Sequence, residues 1–221
     1  METIVVHKGE VFEKVLFNAP DFDMNIIQEQ GSAVKIHILH YALDMHAVDA
    51  RYRLSITQQE EGCITEINGL CYLHHEQQVS IDTQVYHRVG CGVSNQLIKF
   101  VLDDQAQGRF VGSLKIEPQA QKTTAHQTNR NLLLSEKARM RTMPQLEIYA
   151  DDVQATHGAT TGQLDETAIF YMQQRGIGEL KARKMLIGAF VKDIIDRVDV
   201  NRIEPHLANQ IRQIEELLFD L

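Results

Sequence analysis

The stretch LEIYADDVQATHGATTGQLDETAIFYMQQRGI, Leu146 to Ile177, changes its hydrophobic period part-way through. At its start Leu146, Ile148 and Ala150 alternate with polar neighbours, the two-residue repeat of a half-buried strand. At its end Ile169, Tyr171 and Met172 enter a helical run that continues past the Arg175-Gly176 break. Asp165 and Glu166 stand where a helix start favours a side-chain acceptor and a negative charge facing the unpaired N–H groups of its first turn. Between the two regimes lies His157, followed by Gly158 and the small residues Ala159, Thr160, Thr161 and Gly162. The pattern predicts that a stack of strands ends here, that helices begin, and that an imidazole occupies the junction.

Upstream, the units are short, β-rich and punctuated by glycine or polar turns. Ile4-Val5-Val6, Lys35 to Leu39 and Arg51 to Ile56 read as strands. Val79, Ile81 and Val85 share one face, and Phe110, Gly112, Leu114 and Ile116 alternate in the same way. Gln96 to Leu102 is more continuously apolar, as a strand buried on both faces would be. A strand every ten residues or so suggests a sandwich. Yet Asn68-Gly69 is the one dipeptide of the usual hairpin kind. Amides crowd the later strands instead: Gln119, Gln121, Gln127, Asn129 and Asn131 precede Leu132-Leu133-Leu134. Amides ladder when strands lie parallel and in register, which favours a right-handed parallel β-helix over a sandwich.

Downstream the period is helical. Leu180, Met185, Leu186, Ala189, Phe190, Ile194 and Val198 keep mostly three-to-four spacing after the Gly176-Ile177-Gly178 turn. A last helix over about Glu204 to Phe219 has Pro205 in its first turn and would bury Leu207, Ile211, Ile214 and Leu218. The expected organisation is a β-helix core over 1–160 and a C-terminal α-helical subdomain over 161–221. The helices are expected to pack on the end of the stack and cover its edge.

Composition narrows the function. In 221 residues, 22 basic against 30 acidic side chains leave a formal charge of −8 and no basic stripe, which argues against a nucleic-acid partner. No apolar run approaches the ~20 residues needed to span a bilayer. METIVVHKGE lacks the order of a signal peptide, so a cytoplasmic protein is expected. Cys63, Cys71 and Cys91 are an odd number without a CxxC pair, which fits neither a disulfide framework nor a structural zinc site.

Several constellations invite chemistry and are better read as ordinary structure. His37, His40, Asp44 and His46 suggest a metal, but residues three apart on a strand point to opposite faces. Cys71 and Cys91 could fall on neighbouring coils, although two small buried hydrophobes is the simpler reading. Asp103-Asp104 and Asp151-Asp152 are adjacent carboxylates, whereas glycosidase or lyase chemistry needs carboxyls that converge across one bond. A turn before Gly108 and a solvated strand end account for them. Neither a GxxxxGK[ST] phosphate loop nor a GxSxG elbow is present. His157, as a neutral imidazole, is a competent iron ligand, though a bond to local backbone would equally occupy it.

Residues 108–191 carry a resemblance. The succession GRFVG from Gly108, AQKTTAHQ from Ala120, NLLLS from Asn131, LEIYADDV, then HGAT with Gly162, resembles the SufB/SufD family of iron–sulfur cluster assembly scaffolds. So do Phe170-Tyr171, Arg175-Gly176-Ile177 and Ala182-Arg183. HGAT, with Gly158 where SufB members have the glutamate of HEAT, is similar to the SufD branch. Two departures stand out. Ala155 replaces a cysteine common two residues before the histidine, and the chain begins almost directly at its strands.

The resemblance implies a right-handed parallel β-helix with C-terminal helices, pairing with a SufB-like subunit through the β-helix and binding a SufC-like ABC ATPase through the helices. It implies a scaffold rather than an enzyme, with no tightly bound cofactor and a transient iron–sulfur cluster shared with SufB. His157 would be the cluster or iron ligand at that interface. Ile169, Phe170, Tyr171, Arg175, Gly176, Ile177, Met185 and Phe190 would meet SufC. The isolated chain would form a homodimer. The rival expectations are a self-associating β-helix protein with no cluster role and, more remotely, a carbohydrate-active β-helix dependent on Asp151 or Asp152.

Overall fold

The computed structural model describes residues 2–41, 49–199, 201 and 204–219; Asp44 and His46 lie outside them, as do the side chains of Ile214 and Leu218. Among the described residues, twelve strands form two six-stranded sheets, all neighbours parallel. One stacks β1 (Glu2–Val6), β3 (Phe22–Gln28), β5 (Ala50–Gln58), β7 (Gln78–His87), β9 (Gln107–Ile116) and β11 (Arg139–Ile148). The other stacks β2 (Val11–Phe17), β4 (Ala33–Tyr41), β6 (Ile64–Leu73), β8 (Val93–Leu102), β10 (Thr123–Leu133) and β12 (Val153–Gly162). Consecutive strands alternate between sheets, so the chain winds as a parallel β-helix, the fold its sequence predicts. Register partners on adjacent coils lie 22 residues apart in the first coil, as Glu2 and Met24 do, and 29 to 32 apart in the rest, as Val79 and Gly108 or Gln107 and Arg139 do.

Alternation explains the winding. Every second residue faces inward, and register places like on like. Ile26, Ile56, Val85 and Leu114 form one inner row, and Phe22, Tyr52, Ile81 and Phe110 another. Asn68-Gly69 is no turn but the middle of β6. A Cβ on Gly69 would stand 2.8 Å from Ile98 Cδ1, so two large inner neighbours occupy the space it leaves. The first five turns from the first sheet to the second each place one residue at positive φ: Gly9, Gly31, Gly62, Cys91 and Lys122. Amide stacking is real but differs in membership from the expected set. Gln28, Gln58 and His87 share a row, with Thr65 Oγ1 bridging Gln28 and Gln58 at 2.6 and 2.9 Å. Gln121 instead serves a turn, donating to Pro118 O.

Coil contacts leave little slack at Gly90, where a Cβ would meet the Gln121 carbonyl oxygen at 2.5 Å, an atom already accepting from Cys91 N at 2.9 Å. Backbone cannot step aside as a side-chain tip can. Gly90→Ala is therefore expected to lower stability by about 1–3 kcal/mol, read as a shifted urea midpoint at unchanged slope.

Among the described residues, three helices follow: α1 (Glu166–Gln173), α2 (Glu179–Ile195) and α3 (Pro205–Phe219). Asp165 caps α1 as expected, accepting from Thr167 N at 2.8 Å and Ala168 N at 3.2 Å. The helices do not cap the stack. Ile187, Val191, Ile194, Ile195 and Val198 pack with Leu39, Leu70, Leu97 and Val101, the outward residues of β4, β6 and β8. The helices thus cover the flank of the second sheet, because that flank offers apolar side chains on its outer face and must be buried. This is why Gln96–Leu102 is buried on both faces. It also corrects the expected helix face: Leu180 and Ala189 point outward, while Ala182, Ile187 and Val191 are buried. Ile211 of α3 joins the same cluster.

Lys99 lies in the middle of this flank, only 3% exposed. Its ammonium donates to Phe190 O and to Asp193 Oδ1 at 2.6 Å and sits 4.7 Å from the centre of the Phe190 ring. Burial pulls its pKa below the usual lysine value, against the pull of Asp193. Arg197 donates to Asn68 Oδ1 at 3.0 Å, tying the end of α2 to β6.

The open end of the β-helix as candidate functional site

With the helices on the flank, the last coil is left uncovered. β11 and β12 are terminal in their sheets, so each presents an edge of backbone donors and acceptors. His157 does not stand at a junction; it is the fifth residue of β12, which runs on to Gly162, and helix α1 begins only after Asp165. The expected strand end at Ala150 is a corner between coils instead. The alternation of β12 was hidden because its inward residues are small or polar, there being no further coil to bury large ones.

Register gives His157 its setting. It closes an inner row that runs Ile36, Ile67, Gln96, Gln127, His157. The row begins apolar, turns to amides and ends in an exposed imidazole. The next row but one behaves likewise, passing from His40, Cys71 and Phe100 to Asn131 and Thr161. Gln127 is buried with neither amide atom hydrogen-bonded, and Gly112 leaves the room it occupies, since a Cβ there would stand 2.2 Å from Gln127 Nε2. Asn131 Nδ2 spans the last two coils, donating to Asn129 Oδ1 at 2.7 Å and Thr160 O at 3.0 Å. On the outer face His126 Nδ1 and Thr156 Oγ1 meet at 2.8 Å. Half-buried Met140, Thr142, Pro144 and Leu146 complete the rim from β11. The end is a polar mouth with one imidazole, able to ligate a metal through nitrogen or to pair its edges with another chain. Ala155, in the same strand, supplies no thiolate. Open space surrounds Gly158, so packing within the chain does not demand glycine there.

The helical residues singled out from sequence separate into two groups. Ile169 and half-buried Met185, Ile177 and Phe190 face the protein. Phe170 and Tyr171 are 60% and 57% exposed, and Leu180 is 73% exposed. Arg175 lies flat over Tyr171 at 3.6 Å, and Gly176 turns the chain with φ +81°. Arg183 joins α1 to α2 through Glu166 and Glu179, each at 3.0 Å. The three-to-four spacing groups Leu180 with Ile194 and Val198, but it stands in the first turn of α2 and is exposed.

Other constellations resolve as ordinary structure. His37 and His40 face opposite sides of β4, the first outward toward Glu13 at 3.5 Å, the second inward to Tyr52 OH at 2.9 Å. Cys63 and Cys71 are buried, whereas Cys91 is an exposed turn residue, so Cys71 and Cys91 do not meet. Asp103-Asp104 and Asp151-Asp152 occupy corners on opposite sides of the coil, between β8 and β9 and between β11 and β12, and do not converge. Among the described residues no helix is long and apolar enough to cross a membrane.

Residues 23–190 match the family model described as SUF system FeS cluster assembly, SufBD core domain. The chain belongs to the SufBD family. It is 39% identical over 158 residues to an iron-sulfur cluster assembly SufBD family protein of Synechocystis, covering 72% of this chain and 35% of that one. It is 34% identical over 163 residues to the iron-sulfur cluster assembly protein SufD of Escherichia coli, covering 74% and 38%. The SufD protein of Bacillus subtilis is 34% identical over 139 residues, covering 62% and 32%. The chain thus spans about a third of the length of these SufBD relatives. His157, Phe170, Tyr171 and Leu180 all fall inside the matched SufBD core.

Proposed function

We propose that this chain is a SufD-like scaffold subunit of a cytoplasmic iron–sulfur cluster assembly complex, not an enzyme in its own right. The observation that carries the reading is the uncovered last coil, two parallel edge strands around a polar mouth that holds His157. A SufB-like subunit pairs with these edges, and its side chains complete the set that holds the nascent cluster as cargo. His157 supplies one nitrogen to iron. The exposed Phe170, Tyr171 and Leu180 form the surface for a SufC-like ATPase, whose ATP-driven closure pulls on the helices. Because α2 is cemented to the flank of β4, β6 and β8, that pull reaches the sheets and shears the paired edges.

The test is co-expression with the host's SufB and SufC. Wild type is expected to co-elute with both on size exclusion. Phe170→Ser combined with Leu180→Ser is expected to weaken SufC retention by about tenfold while SufB stays bound, since burying two such side chains contributes about 1.5–3 kcal/mol each and only part is lost on an interface rim. Failure of wild type to co-elute with SufB would overturn the reading. A second copy of this chain fits the same open edge, and a dimer that persists in the presence of SufB would favour the self-pairing alternative.

A further inference from the structure

On the corner where the second sheet passes back to the first, turns of successive coils stack in register. Gln105 N donates to His75 O at 2.9 Å, Asp103 N to Leu73 O at 2.9 Å, and Gln107 N to Gln77 O at 2.8 Å. The stacking sets the β8–β9 turn against the β6–β7 turn and brings His74, His75 and Asp104 together. One donor atom from each lies within 4.8 Å of the others. The Asp104 carboxylate accepts from the His75 backbone N–H at 3.1 Å and stands 3.1 Å from the ring Nδ1 through the same oxygen. The two imidazoles cross at 68° with centres 4.5 Å apart. His75 and Asp104 both hold left-handed backbone, φ 58° and 50°, so the ladder of backbone bonds fixes both side chains at the corner.

We propose that His74, His75 and Asp104 form a binding site for a borderline divalent transition metal ion of the Zn2+, Co2+ or Fe2+ kind, separate from the open end. Two imidazoles and one carboxylate are the donor set such ions favour over magnesium or calcium. Ligands of a tetrahedral ion stand about 3.3 Å apart for metal bonds of about 2.0–2.1 Å. Asp104 and His75 Nδ1, 3.1 Å apart, already stand near that spacing, and the donor atoms of all three lie within 4.8 Å of one another. A surface cavity of about 1010 Å³ adjoins it, lined by Asp49, Glu76, Asp104 and Glu136, with Lys137 as the one cation among the described lining residues. Carboxylates dominate the approach, and Glu76 or Glu136 is placed on the wall to complete the coordination. Water fills the remaining position.

Co2+ alone, titrated into the purified chain and followed by its visible d–d absorption, tests the site, with Zn2+ displacement and native mass spectrometry giving stoichiometry. One equivalent is expected to bind and to be displaced by Zn2+. His75→Asn with Asp104→Asn is expected to weaken it at least tenfold, because asparagine keeps the left-handed turn but removes a nitrogen and a charged oxygen ligand. An unshifted melting temperature in the metal-free variant shows that the turn has kept its fold. His157→Ala and Cys91→Ser are expected to leave the affinity unchanged. Absence of binding, binding that survives the double variant, or binding lost in His157→Ala would each overturn the assignment.

Discussion

Acidified from pH 7 to pH 4, the chain is expected to lose stability at up to about 3 kcal/mol per pH unit through the middle of that range, from two buried histidines alone. His40 and His87 are fully enclosed, and burial pushes each down to about 4 from an ordinary value of 6.5. The hydrogen bonds say why. The Tyr52 hydroxyl gives its one hydrogen to Ala19 O at 3.0 Å, so His40 Nδ1 donates to the Tyr52 oxygen and Nε2, without a partner, stays unprotonated. His87 uses Nε2 toward Ser94 Oγ at 2.8 Å, and its Nδ1 is likewise unpartnered. A second proton on either ring would create a buried N–H with no acceptor.

The sign follows. Between pH 6.5 and 4 the unfolded chain binds these protons and the folded chain does not. Stability is therefore full above pH 6.5 and is lost as pH falls through 4, by several kcal/mol. That compares with a typical total of about 5–15 kcal/mol. His37, also lowered chiefly by burial, adds in the same direction. Urea midpoints at a series of pH values measure the slope. His87→Gln, which extends the Gln28 and Gln58 row, is expected to remove about one proton of uptake. A flat profile between pH 6.5 and 4.5 would show these rings to be more hydrated than their burial indicates.

His157→Ala is expected to lower the iron and acid-labile sulfide held by a SufB–SufC–chain complex at least tenfold, the order of loss seen when metal-site groups are removed. The same change is expected to alter the chain's own stability by no more than about 0.5 kcal/mol, because His157 is exposed on an edge strand. The contrast separates a ligand from a structural residue. An intact complex with unchanged cluster content would leave the chain a scaffold without a ligand. Ala155 makes the expectation sharper, since that strand offers no thiolate to substitute for the imidazole.

Much of this protein is determined by local order along the chain. Two-residue alternation in Val79–Val85 and Phe110–Ile116, the doubly buried run Gln96–Leu102, and the capping Asp165 each follow from interactions a few residues long, so they are legible one residue at a time. The candidate site residues come instead from the family resemblance carried by the HGAT and Arg175-Gly176-Ile177 motifs. Tertiary structure decided what depends on distant partners. The helices cover the flank because Leu39 and Leu70 share a row, beside the row of Tyr41, Tyr72 and Val101, only once coils about thirty residues apart are in register. β12 reads as a junction until β10 pairs with it, since small residues at the end of a stack carry no periodic signal. Leu180 is exposed in the first turn of α2 although its spacing suits a core. His74, His75 and Asp104 come from turns that sequence shows only as punctuation, and stacking alone makes them neighbours. Hydrophobic period is a local property; register is a property of the whole winding, and it chooses which polar groups meet.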